Sequence, residues 1–226
     1  MPANRAKDVG FDRSMIGAYG HDDRCCAYAA VRAMIDMSAI PERACVCVLT
    51  DKEETGSAGN TGAESKIFEN FIAYLCYLGD REKYSDITLR NCLSLSRMLS
   101  ADVNSAVDPN FENVQDKKNA SYLGRGIVLT KYTGSRGKGY ASDANAEFYT
   151  KVRHILNAGG VQWQYGDIGK VDQGGGGTIA LHVANLGVEV LDCGIPVLSM
   201  HAPFEVISKI DLYTTYRGYT VFLLSA

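Results

Sequence analysis

Short apolar, β-branched runs alternate with amphipathic helical patterns along almost the whole chain, and this alternation confines the fold to layered α/β architectures. Strand-like runs fall at 44–50, 99–103, 126–130, 161–164, 188–192 and 196–201. Between them, Ala27, Val31, Met34 and Ile35 share one face of a helix that starts near Asp22-Asp23. Ile67, Phe68, Phe71, Ile72, Leu75 and Leu78 mark a second helix, opened by a capping-box pattern at Thr61-Gly62-Ala63-Glu64 and closed by Gly79. Further helices are expected over 87–98, from Ser142-Asp143 to about 156, from Asp172 to about 187, and over 204–223. The run 44–50 is apolar nearly throughout, the pattern of a strand covered on both faces in a mostly parallel sheet. No internal repeat, low-complexity linker or break in composition divides the chain, so a single layered domain is expected.

A chain of 226 residues with 46% apolar content buries a substantial core. Its net charge of −3 gives no electrostatic basis for binding nucleic acid or an anionic membrane. No segment approaches the roughly 18 to 20 unbroken apolar residues of a membrane span, and Met1-Pro2-Ala3-Asn4-Arg5 does not open a signal peptide. The seven cysteines lack metal-finger spacing and sit within apolar or helical patterns, as in a reduced, cytoplasmic protein. Any zinc must then be held by carboxylates and imidazoles.

The residues with most chemistry stand where strands end, the edge at which open α/β sheets gather ligands. Glu53-Glu54 follow the run 44–50, Asp102 ends a second strand and His201 another, while Asp22-Asp23 begin a helix. Each has an ordinary explanation. Asp is a favoured N-cap, and a Glu-Glu pair is often a solvated loop. Four such groups at equivalent topological points instead fit a metal, with one Glu as ligand and its neighbour as base. Gly174 to Gly177 fit either a flexible loop or a helix start facing a ligand, but neither GxxxxGK[ST] nor GxGxxG is present.

The motifs GHDDRCCAY (20–28), LTDKEETGSAGNTGAES (49–65), LSADVNSAVDPNF (99–111), KYTGSRGKGYASDANAEF (131–148), GKVDQGGGGT (169–178) and PVLSMHAPFEV (196–206) resemble, in order, the catalytic part of the aminopeptidase I and aspartyl aminopeptidase family of dizinc exopeptidases. The resemblance implies a three-layer α/β sandwich with a mostly parallel mixed central sheet, of the zinc exopeptidase or phosphorylase-hydrolase type. It implies that Asp22 bridges two zinc ions, commonly with a cis peptide to Asp23. Glu54 and His201 would complete one zinc, Asp102 would bind the other, and Glu53 would be the general base. It also implies peptide substrates and a homo-oligomer in the full-length form, with Gly174, Gly175, Gly176, Lys138 and Asp172 near substrate.

The family's remaining ligand is a histidine in a His-x-Asp segment ahead of an inserted dimerisation domain, and neither precedes Asp22 here. Residues 1–226 are thus expected to be the C-terminal portion of a zinc-peptidase catalytic domain, incomplete at its N-terminal side. Such a portion should hold one zinc tightly and have impaired activity. Ser105 and Asp108, where the aspartyl branch would carry histidines, lean the substrate toward neutral or apolar N-terminal residues. Two other readings stay open: a dizinc amidohydrolase of N-acyl amino acids, and an inactive truncated subunit.

Overall fold

The computed structural model describes residues 2, 4–136, 139–170 and 172–225. In chain order the elements are β1 (Lys7–Val9), β2 (Met15–Ala18), α1 (His21–Ile35), α2 (Ile67–Gly79), α3 (Asp86–Ser94), β3 (Arg97–Ser100), β4 (Asn104–Ser105), β5 (Ile127–Thr130), β6 (Tyr132–Ser135) and β7 (Gly139–Asp143). They continue as α4 (Ala146–Ala158), β8 (Trp163–Tyr165), α5 (Ala180–Ala184), β9 (Glu189–Gly194), β10 (Pro196–Leu198), β11 (Glu205–Ser208) and α6 (Lys209–Ser225).

The central sheet has the order β3-β9-β5-β8, parallel at β3–β9 and β5–β8 and antiparallel at β5–β9. Its two faces take alternate residues of β9, as a pleated strand requires. Leu191 and Cys193 pack with Ala29 and Ala33 of α1, Phe148, Val152 and Leu156 of α4, and Tyr219 and Phe222 of α6. Val190 points the other way, into a cluster with Ile72 of α2, Leu93 of α3, and Ala180 and Val183 of α5. Helices therefore cover both faces, which makes the three layers. A second sheet, β1-β2-β11-β10-β4, is antiparallel except at β10–β4 and packs Ile195, Val197 and Ile207 on Cys25 and Cys26 of α1.

Several local expectations are corrected. Residues 44–50 form no strand, and no backbone-to-backbone hydrogen bond involves them among the described residues. β3 is the terminal strand of its sheet, and the run passes beside it across an apolar cavity of about 570 Å³ that Met98 and Leu99 also line. An apolar run becomes a strand only when a ladder partner takes its N–H and C=O groups. Here Val46 packs on the α2–α3–α5 cluster, while Val48 and Leu49 stay exposed.

The pattern Thr61–Glu64 caps no helix: α2 starts at Ile67, and Thr61 O accepts from Asp51 N–H, tying down the preceding loop. β6 and β7 pair antiparallel as a hairpin, and α4 is capped by Asn145, whose side chain accepts from Phe148 N–H, rather than by Ser142-Asp143. The last expected helix is a strand and a helix: β11 pairs with β2, and α6 follows from Lys209.

Candidate metal centre

Asp22, Glu54 and His201 come from three separate parts of the chain and place one donor atom each within 4.8 Å of the others. His201 Nε2 lies 3.0 Å from Asp22 Oδ2 and 3.3 Å from Glu54 Oε2. The Asp22 side chain is only 10% exposed, whereas those of Glu54 and His201 are 56% and 62% exposed, so the cluster opens to solvent on one side.

Local folding explains each position. The pairing of β2 with β11 sets Ala18 opposite Glu205 and so brings the segment after β2 beside the segment before β11. Asp22 stands at the start of α1, joined to Asp23 by a cis peptide bond. His201 sits in a turn closed by Ala202 N–H to Ser199 O, with a positive φ of 66°. Glu53 and Glu54 open a 3-10 turn, Glu53–Thr55, in which Ser57 N–H donates to Lys52 O at 2.8 Å. Glu205 is almost fully buried. Its Oε2 accepts from Asp22 N–H at 3.1 Å, and its Oε1 accepts from His201 N–H at 2.8 Å. Nothing in the linear sequence distinguishes Glu205 except one charge inside the apolar run Phe204–Ile207.

The electrostatics are those of crowded carboxylates. Burial and then the Glu54 carboxylate push Asp22 up to about 7, against the opposing pull of His201. Asp102, just past β3, is raised well above its ordinary range by burial, and further by Asp22, Asp23 and Glu53. Burial, followed by Glu54 and Asp23, raises Glu53. Such a cluster keeps its charges only if a cation neutralises them. One imidazole and two carboxylates are a three-ligand set that suits zinc, which leaves a coordination position open. Asp102 is electrostatically linked to this cluster but lies outside its donor triad, and its Oδ1 accepts from Val103 N–H. Gly194 lets the β9 backbone approach here, since a Cβ on it would fall 1.7 Å from Asp102 O.

The glycine run is held by the β6–β7 hairpin. Gly174 O accepts from Arg136 N–H at 2.8 Å, and a Cβ on Gly175 would lie 2.3 Å from Gly134 O. Gly174, Gly175 and Gly177 thus pack beside the β6–β7 hairpin, a Cβ on Gly176 would meet open space, and the run precedes α5 instead of forming its first turn. Asp172 is exposed, and Lys138 lies outside the described residues. Past the run, Thr178 Oγ1 donates to Asp192 Oδ1 at 2.7 Å, and burial pushes the Asp192 carboxyl up to about 6. His21 is a core histidine whose Nε2 is 3.1 Å from Ile16 O.

The profile of the family described as aminopeptidase I zinc metalloprotease (M18) matches residues 1–223. A probable M18 family aminopeptidase 1 of Clostridium acetobutylicum is 52% identical over 224 residues, which cover 99% of this chain and 47% of that protein. The crystal structure of an M18 family aminopeptidase from Thermotoga maritima superposes with a TM-score of 0.95 at 45% identity, over 100% of this chain and 49% of that one. A more remote structure, the S. cerevisiae mApe1 dodecamer, shares the fold with a TM-score of 0.75 at 23% identity, over 97% of this chain and 48% of that one. The chain spans about half the length of the relatives it matches.

Proposed function

This chain belongs to the aminopeptidase I zinc metalloprotease (M18) family, and on that premise we propose that it carries the zinc-binding and proton-transfer groups of an enzyme that releases N-terminal residues from peptides. The observation that carries the reading is the convergence of Asp22, Glu54 and His201. In it, those three residues hold one zinc, and Asp102 belongs to a second, less complete zinc site. Zinc bound there supplies a Lewis acid for a peptide carbonyl and lowers the pKa of water. Glu53 takes the proton of the attacking water and hands it to the leaving amine. Its raised pKa suits that exchange, because a base works best when its pKa approaches the working pH. The carboxylates around the site also suit a free α-ammonium group. Substrates with neutral or apolar N-terminal residues are the preferred class, with Gly174 to Gly176, Asp172 and Lys138 on the substrate side.

We further propose that residues 1–226 are the C-terminal portion of the catalytic domain, that the protein works in the cytoplasm, and that its full-length form is a homo-oligomer. Coverage of about half of each relative agrees with the chain being one portion of such a protein, and the dodecamer of the yeast protein supports the homo-oligomer. Among the described residues no helix is long and apolar enough to cross a membrane.

Hydrolysis of a leucyl anilide and of an N-acetyl amino acid, measured side by side with zinc and with a chelator, tests the activity. Weak, zinc-dependent release from the anilide alone is expected. Cleavage of the N-acyl compound alone would assign the chain to amidohydrolysis instead.

A further inference from the structure

We propose that Glu205 is a positioning residue for the zinc site: its carboxylate brackets the two backbone segments that carry Asp22 and His201 and fixes their spacing. The inference rests on reading Asp22, Glu54 and His201 as zinc ligands.

Each Glu205 oxygen serves one ligand residue, Oε2 accepting from Asp22 N–H at 3.1 Å and Oε1 from His201 N–H at 2.8 Å. The side chain is 2% exposed, and no Lys or Arg pairs with it among the described residues. Burying an unpaired carboxylate is costly, so a buried Glu in a strand must have strong partners. Here the partners are the main-chain donors of two metal-binding residues. Charge-assisted bonds of this kind are shorter and stronger than neutral ones. Because the bonds end on backbone nitrogens, a shift in either one displaces the Cα of a ligand.

The geometry also explains why this residue is a carboxylate. A Gln of the same shape offers one acceptor oxygen and an amide that donates, so one of the two N–H groups would face another donor. Glu205 is held in turn by β11, whose pairing with β2 places Glu205 opposite Ala18, four residues before Asp22. Partners of this type orient metal ligands, and their loss commonly weakens metal binding.

The test compares the wild-type chain with Glu205→Gln by zinc competition against a chromophoric chelator and by the visible spectrum of bound cobalt(II), with circular dichroism as the measure of folding. Folded Glu205→Gln is expected to bind zinc about 10- to 100-fold more weakly and to show altered cobalt d–d bands, which a purely structural role would leave unchanged. Wild-type affinity together with an unchanged cobalt spectrum in the variant would overturn the bracket while leaving the zinc reading intact. Failure of the wild-type chain to bind zinc would overturn both. If Glu205→Gln does not fold, amide hydrogen exchange on the wild-type chain decides. Protected Asp22 and His201 amides support the bracket, and exchange at the rate of open loops overturns it.

Discussion

His201 Nε2 lies 3.0 Å from Asp22 Oδ2, although the two residues stand at opposite ends of the chain. They meet because β2 and β11 are antiparallel neighbours, so the loop that leaves one strand faces the loop that enters the other. The metal site is in this sense a product of sheet topology, and its chemistry can be separated from its assembly.

Glu53→Gln should separate proton transfer from metal binding. The side chain keeps its shape but no longer accepts a proton, so zinc affinity should stay within a few-fold of wild type while peptidase turnover falls by about 10²- to 10⁴-fold. Zinc competition and anilide hydrolysis on the same preparation check this. Full turnover in Glu53→Gln would remove Glu53 from the reaction.

Zinc should stabilise the fold, because its charge offsets the burial and, after it, the mutual repulsion that raise Asp22, Asp102 and Glu53 above their ordinary pKa values. At 100 times its dissociation constant the gain is about 2.7 kcal/mol. For a chain of this size that raises the melting temperature by roughly 5–10 °C, reversed by a chelator. A melting temperature indifferent to zinc would count against the cluster as a metal site.

Asp192 gives a pH dependence with a definite sign. Its carboxyl is raised from 3.8 to about 6 in the folded state, so the native chain binds this proton more tightly than the unfolded chain. The stabilisation is complete below about 4 and is lost as the pH rises through 6. Asp192→Asn mimics the protonated form and can still accept from Thr178. It should match wild type near pH 4 and exceed it at neutral pH, by on the order of 3 kcal/mol at most. Urea denaturation at the two pH values measures the difference.

Gly175→Ala should destabilise the chain by about 1–3 kcal/mol, since Gly175 has a φ of 95° and its Cβ would meet Gly134 O. Chemical denaturation reads the cost directly, and an unchanged midpoint would mean that the glycine run is not held against the β6–β7 hairpin.

The helical stripes that correspond to α1 and α2, and the buried runs that correspond to β5 and β9, are legible because burial on one face or on both leaves a periodic trace. The run 44–50 carried the same trace without the outcome, because strand formation depends on a hydrogen-bonding neighbour that no local pattern encodes. β11 was hidden for a related reason. Its four residues merge by composition into the apolar helix that follows, and only pairing with β2 separates them. In the site, Asp22, Glu54 and His201 stood in long motifs, and the structure brings them together. Glu205 lies in one of the same motifs but carries no local signal of its role, since its partners are backbone N–H groups, one of them remote in sequence.

Zinc stoichiometry and affinity of the purified chain, measured by elemental analysis and competition titration on wild type and on His201→Ala, show whether Asp22, Glu54 and His201 hold a metal. One tightly bound zinc per wild-type chain is expected, with binding weakened beyond the roughly 10- to 100-fold typical of losing a residue that only orients a ligand once the only imidazole of the triad is removed. Unchanged zinc binding in His201→Ala, or two tightly bound zinc ions with vigorous aminopeptidase activity in wild type, would contradict this.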